Sequence, residues 1–329
     1  MVTPSGSHDS AADWRPTAAL SALRRRAALL QDVRGYFHGT AALEVDTPLL
    51  DRHGATDPAL ASFTVTGSAG GVRYLQTSPE FAMKRLLAAG SGDIYQVCHA
   101  FRREEGSRLH QEEFTLLEWY RVGRDHHGLM DDVTALLAAV GFPWPVRRQT
   151  YAALCRTHVG LDPHTASTAD LAACAQARGA VFAPRDRADR ALLLDWLFGC
   201  AVMPCLPRDA AVLVHDFPVE QAAYARVRDG TPPVAERFEL VCGDVELANG
   251  FHEVTSAEEQ HARHARENAR RQAAGLPQIP IDARLLAALA AGMPACAGVA
   301  LGIDRLLLLM LGAHDLAEVI GFASRRAMD

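Results

Sequence analysis

The sequence predicts a mixed α/β (α+β) protein built around one large catalytic domain, and three observations carry that prediction. The chain has 329 residues, 49% of them apolar, which suffices to bury a sizeable core. Its apolar residues switch along the chain between helical spacing and the two-residue alternation of strands. Between two extended runs, at 93–102 and 113–121, lies a loop that is unusually charged for a hairpin.

The elements follow in order. Leu20, Leu23, Ala27, Leu30, Val33 and Phe37 recur at helical spacing, with Gly35 and Gly39 near the end, so a helix over 17–38 runs into a turn. Leu43 to Pro48 alternates apolar and polar residues and stops at a proline, as a short strand would. Gly67 to Gly71 is a turn. Thr77-Ser78-Pro79-Glu80 opens a helix with Ser78 as N-cap and Pro79 at the first helical position, and Gly90 stops it. The two strands around the charged loop come next. Residues 128–210 read as helices and loops without recognisable site chemistry, and no internal repeat is present. Extended character returns at 211–217 and 237–249, where Gly243-Asp244 supplies a two-residue hairpin turn. Thr255 to Glu259 has capping-box spacing for a charged helix ending near Gly275-Leu276-Pro277. A last glycine-rich strand runs into an apolar helix at 303–311.

Composition narrows the classes. The leucine-rich runs are far shorter than the roughly 20 apolar residues a membrane helix needs, and no cleavable leader pattern is present. A cytoplasmic protein with a loose tail over residues 1–16 is expected, followed by a single catalytic domain over 17–329. Seven scattered cysteines without a Cys-x-x-Cys pair suit reduced, mostly buried thiols. A net charge of -6 gives no general basic surface for nucleic acid. The charged helix at 261–271, with His261 and His264, reads as a solvated face. His252-Glu253 lacks the second histidine of a zinc-protease helix, and no phosphate-binding glycine loop appears.

Three constellations carry chemistry. In the charged hairpin, Arg102 at a strand end can clamp a phosphate, Glu104 can accept from an amino group and Phe114 can stack on a base. Phe114, Glu118 and Tyr120 share parity and therefore one face of their strand. A solvated charged hairpin fits the same pattern equally well. Across the Gly243-Asp244 turn, a simple register pairs residue 241 with 246 and 239 with 248. Glu239 and Glu246 are then diagonal neighbours that repel unless a cation such as Mg²⁺ lies between them. Two exposed edge glutamates are the plainer alternative. Ala300-Leu301-Gly302-Ile303-Asp304-Arg305 places an arginine at a helix start, within reach of a terminal phosphate or paired simply with Asp304 or a neighbour.

Leu43 to Pro48, Phe101 to Tyr120 and Gly298 to Arg305 resemble, in this order, motifs 1, 2 and 3 of class II aminoacyl-tRNA synthetases. The details resemble the lysyl branch: Thr77-Ser78-Pro79-Glu80, Glu112 to Thr115 with Glu118-Trp119-Tyr120, Glu236-Arg237-Phe238-Glu239, and Glu246 to Phe251. The resemblance implies the class II catalytic fold, an antiparallel six- or seven-stranded sheet flanked by helices, in a homodimer formed partly through motif 1. It implies ATP with Mg²⁺: Arg102 on the α-phosphate, Glu104 and Phe114 on adenine, His110 and Arg305 on the terminal phosphates, and Glu239 with Glu246 on magnesium. Arg103, Gln111, Leu247 and Gly302 complete the implied ATP set, and Arg102 and Arg305 are its catalytic cations.

The implied amino-acid pocket comprises Ser78, Pro79, Glu80, Glu118, Tyr120, Asn249, Glu253 and Ala300. Several carboxylates suit a substrate with two ammonium groups. Lysyl-tRNA synthetases carry an anticodon-binding β-barrel before motif 1, whereas here motif 1 lies within the first fifty residues. A free-standing core of this kind is similar to the elongation factor P lysyltransferase family, which joins (R)-β-lysine to a lysine ε-amine of that translation factor. Ala300 supports this branch, because lysyl-tRNA synthetases have glycine there and the added methyl reshapes the pocket. Arg103 and Gln111 depart from the family's usual asparagines, and Glu112 from its proline. Elongation factor P and lysine or (R)-β-lysine are thus the expected partners, with no stable tRNA binding and no membrane. Charging of tRNA or of a small-molecule amine is the competing expectation.

Overall fold

Helix α1 (Leu20–Gly39) forms where helical spacing predicts it, and buries its stripe of Leu29, Val33 and Phe37. Each such side chain contributes about 1.5–3 kcal/mol. The computed structural model describes residues 14–67, 70–103, 106–183 and 186–323, so the expected tail lies outside the described residues up to residue 13. The run expected as one strand over 43–48 is cut to β1 (Leu43–Glu44) before Pro48 removes a donor. Beyond it, β2 (Leu50–Asp51), β3 (Thr64–Thr66) and β4 (Val72–Leu75) form a separate three-stranded sheet, too short-stranded to announce itself by periodicity. Helix α2 (Glu80–Ala88) starts one residue later than expected. Pro79 is its cap, and the Ser78 hydroxyl accepts from the Glu80 N–H at 3.0 Å.

The charged hairpin is β5 (Ile94–Phe101) and β6 (Glu113–Val122). The stretch read as helices and loops gives α3 (His126–Ala139), α4 (Tyr151–His158), α5 (Thr168–Ala177) and α6 (Arg190–Leu197). It also gives an unforeseen strand, β7 (Val146–Thr150), with no apolar alternation to betray it. There follow β8 (Ala211–Phe217), β9 (Val227–Arg228), β10 (Val234–Cys242), β11 (Val245–His252), α7 (Ala257–Ala273), α8 (Ala283–Gly292), β12 (Cys296–Gly302) and α9 (Ile303–Leu311).

Among the described residues the main sheet runs β1-β5-β6-β12-β11-β10-β8-β7, with β9 beside β10. Its inner six strands are antiparallel, while β1 and β7 pair in parallel at the two ends. The expected antiparallel sheet is therefore the middle of a wider, mixed one. Strand alternation decides its faces. Leu117, Trp119, Leu213, Phe238 and Leu240 point into a core covered by α1, α3 and α9. Val212 and Val214 point the other way, under α4 to α6, and leave the middle of that second face open.

The Gly243-Asp244 turn forms, and Val241 faces Glu246 as expected. A bulge after Leu240 then shifts the register, so Glu239 faces Asn249 rather than Ala248. All seven cysteines are free, four of them buried. Among the described residues no helix is long and apolar enough to cross a membrane.

Candidate active site

The open middle of the sheet carries a cavity of about 590 Å³. Ser78, Pro79, Glu80, Arg102, His110, Gln111, Phe114, Glu118, Tyr120, Glu246, Leu247, Asn249, Glu253, Ala300, Gly302 and Arg305 all line it. Arg103 does not. It is exposed, and its N–H donates to Ala61 O at 2.7 Å. Glu239 does not line it either, and Glu104 lies outside the described residues.

One end is built of carboxylates. Register across three adjacent strands puts Glu118 of β6 opposite Ala300 of β12, and Ala300 opposite Asn249 of β11. Gly298, one step of parity away, faces Tyr120. A Cβ there would collide with the Tyr120 ring and stand 2.6 Å from the Glu253 carboxylate, so only glycine lets the two approach the strand. The Glu118 carboxylate accepts from the Tyr120 hydroxyl at 2.7 Å and from the Ser78 hydroxyl at 2.8 Å. The glutamate is 3% exposed. Burial, then the charge of Glu80, push its pKa up to about 7.

Sequence reasoning missed the residue that ties this end together. Lys84, 2% exposed, lies 2.6 Å from Glu80 and 2.7 Å from Glu253. Burial opposes its charge, but the two glutamates hold its pKa above the ordinary value. Burial and the charge of Glu80 in turn hold Glu253 above its own, against the pull of Lys84. One ammonium is thus shared among more than one carboxylate. The signal was the Glu80-Lys84 spacing of four on a helix, commonly a mere surface pair.

The other end is cationic. The Arg102 guanidinium lies over the Phe114 ring, 5.1 Å from its centroid. Arg305 donates to Leu109 O at 3.2 Å and to Glu246 O at 2.7 Å, so the hairpin loop and β11 fix its direction. Asp304 is not its partner. That carboxylate accepts from Arg26 at 2.5 Å and from the Thr115 N–H at 2.8 Å, tying α1 to the hairpin. His110 Nδ1 sits 2.8 Å from Ser107 Oγ, and Gln111 is buried. Behind Glu246, burial and the Glu246 charge raise the Glu239 pKa, while an ion pair with Arg237 opposes them.

Two further walls were misread from sequence. Asp195 of α6 lines the cavity, although its stretch was read as lacking site chemistry. It accepts from Gln221 at 2.5 Å. Helix α7 is not a solvated face. Gln260, Arg263, His264 and Arg271 are buried along one side, and Glu267 on the same side lines the cavity and accepts from Thr56. His264 packs against Phe81 and Tyr224, with ring centroids 5.5 Å and 5.6 Å away, and burial lowers its pKa to about 4. Polar side chains satisfied by polar partners leave no apolar stripe to read.

The family model for class II tRNA synthetases (D, K and N) matches residues 8–172 and 193–326. A Vibrio vulnificus protein named elongation factor P–(R)-β-lysine ligase is 45% identical over 94% of this chain and 98% of its own length. Proteins of the same name from Vibrio cholerae and Pasteurella multocida are 45% and 42% identical, each over 96% of this chain and 99% and 98% of their own. With a sheet, a cavity and a carboxylate cluster that fit these matches, the chain belongs to the elongation factor P–(R)-β-lysine ligase branch of the class II (D, K and N) tRNA synthetase family.

Proposed function

We propose that the protein is an ATP-dependent, AMP-forming ligase that activates (R)-β-lysine as its adenylate and transfers it to a lysine ε-amine of elongation factor P in the cytoplasm. One observation carries this reading. Glu80, Glu118 and Glu253 converge on the cavity, and among the described residues the one ammonium paired within the cluster is that of Lys84, with Glu80 and Glu253. With all three carboxylates ionised, as a bound cation favours, one ammonium leaves two negative charges, which the two ammonium groups of a diamino acid neutralise. The Ala300 methyl, opposite both Glu118 and Asn249, then bears on where the second amino group sits.

The chemistry follows from the charge at the far end. The substrate carboxylate attacks the α-phosphorus of ATP, pyrophosphate leaves, and a mixed anhydride forms. Arg102 neutralises charge that grows at the α-phosphate, while Arg305 and His110 hold the departing phosphates. Glu104 and Phe114 are assigned to adenine. Glu246, with Glu239 behind it, would hold Mg²⁺, which when bound neutralises phosphate charge; the raised pKa of Glu239 fits a site that favours a cation. The acceptor amine, deprotonated, then attacks the anhydride carbonyl, and AMP leaves as the amide forms.

A homodimer is part of the proposal. Leu43, Leu49, Leu50, Val65 and Val72 are exposed apolar residues gathered around β1 and the small sheet, as an unfilled interface would leave them.

Intact-mass analysis of elongation factor P, incubated with the protein, ATP, Mg²⁺ and either α-lysine or (R)-β-lysine, tests the reading. A lysyl mass on the factor, favoured with β-lysine, is expected. Charged tRNA beside an unmodified factor would overturn it.

A further inference from the structure

The opposite face of the sheet holds a second group of titratable side chains that the ligase reading does not use. His126, the first residue of α3, is 0% exposed; among the described residues Nδ1 has no hydrogen-bond partner, and Nε2 has only Asp216, at a long 3.5 Å. A buried imidazole in that condition calls for an explanation. Around it stand ligand atoms of Glu236 from β10 and His252 from β11, all within 4.8 Å of one another. His127 and Asp216 make a second such set with the same His126.

We propose that His126, His252 and Glu236 form a binding site for a divalent transition metal of the Zn²⁺ kind, separate from the catalytic cavity. The donor set argues for this class: two imidazoles and one carboxylate suit zinc, whereas Mg²⁺ and Ca²⁺ prefer oxygen alone. Bonds of about 2.0 Å put tetrahedral ligands about 3.3 Å apart, so small side-chain rotations bring the three donors onto an ion. His252 Nδ1 is already 2.6 Å from Glu236. Asp216, 3.5 Å from His126 Nε2, is placed to orient the ring, as carboxylates behind metal-bound histidines do. The Glu236 set is preferred over the Asp216 set because Arg228 is closer to Asp216, at 3.0 Å, than to Glu236, at 3.4 Å, and His215 also engages Asp216 at 3.2 Å.

Two cations oppose the ion. Arg228 is 3.4 Å from Glu236, and Arg226 is 3.4 Å from His252 Nε2. The Arg228 side chain is 45% exposed and has solvent to turn into. An open cavity lined by Asp125, Arg226 and His252 gives a path of entry. An ion here would join the start of α3 to the β10–β11 hairpin, whose other face carries Asn249 and Glu253.

The full-length protein, stripped with a chelator and dialysed, is titrated with Zn²⁺ against a chromophoric competitor, and then with Co²⁺ for its visible spectrum. One equivalent of Zn²⁺, a rise in Tm and a nitrogen-and-oxygen cobalt spectrum are expected. H126N and H252Q, each with unchanged circular dichroism, should weaken binding at least tenfold. The double variant C200S/C205S, which removes the exposed thiols, should leave it intact. Should H126N fail to fold, H252Q, nearer the surface, decides. Absence of stoichiometric Zn²⁺ binding, full binding in H252Q, or a thiolate-to-cobalt band would overturn the proposal.

Discussion

The two ends of the catalytic cavity are built on opposite principles. The amino-acid end is a buried cluster in which Glu80, Glu118 and Glu253 are held by Lys84, Ser78 and Tyr120. Glu118 and Glu253 are pushed toward their neutral forms because water is excluded and like charges are close. The other end carries its guanidiniums just beyond the ends of inner strands β5 and β12, one over an aromatic ring and one pinned by carbonyls. In the proposed function the dense anionic pocket is the part that would select a small dication through desolvation, and the cationic end the part that would receive a flexible polyanion.

The sharpest break in that contrast is Arg102→Ala. Pyrophosphate exchange should fall about 10²- to 10³-fold, a far larger effect than any on Tm, since the proposed function assigns the side chain to the phosphates. At the buried end the largest effect falls on stability. Lys84→Ala leaves Glu80 and Glu253 without their ammonium and should cost about 3–5 kcal/mol in urea denaturation. An unaltered midpoint would show that the cluster is not held by charge.

Glu118→Gln should weaken diamino-acid binding about 10- to 100-fold, the worth of one charge-assisted hydrogen bond, without destabilising the chain. Its pH behaviour carries a definite sign. The folded pKa, about 7, lies above the ordinary 4.5, so the stability this group contributes is complete below pH 4.5 and lost as pH rises through 7. Binding of a dication favours the ionised carboxylate and should tighten over the same window. In Glu118→Gln both the Tm and the affinity profiles should flatten between those limits.

Ala300→Gly should move the preference toward α-lysine by about tenfold, the worth of one methyl in a fitted pocket, read as a ratio of kcat/KM values. The smallest effect is a comparison of two glutamates. Glu246 lines the cavity and Glu239 is paired with Arg237 behind it, so Glu246→Gln should raise the magnesium requirement more than Glu239→Gln.

Legibility from sequence differs between these regions for a physical reason. Phe114, Glu118 and Tyr120 could be placed on one face because strand parity is local, and helix α2 could be bounded by Pro79 and Gly90 within a residue. Lys84 could not be assigned, because a Glu–Lys pair four apart looks the same on a surface and in a core. Helix α7 was read as solvated for the same reason: its inner side is polar, and hydropathy does not distinguish a buried arginine with carbonyl partners from an exposed one. Strand β7 and the small sheet were missed because runs of two to five residues carry too little periodicity.

By itself, the sequence determined helices α1 and α2, the charged hairpin, the Gly243-Asp244 turn, the three motif blocks and a set of site residues most of which meet in the cavity. The elements depend on local alternation, turn chemistry and residue type, and the motif blocks and site set on the resemblance to class II synthetases. Tertiary structure alone decided which charges share a pocket, that a bulge moves Glu239 opposite Asn249, that Asp304 pairs with Arg26 rather than Arg305, and that Asp195 and Glu267 join the wall. Each of these rests on contacts between residues far apart in the chain. Burial and neighbouring charge are set only when the sheet closes against its helices.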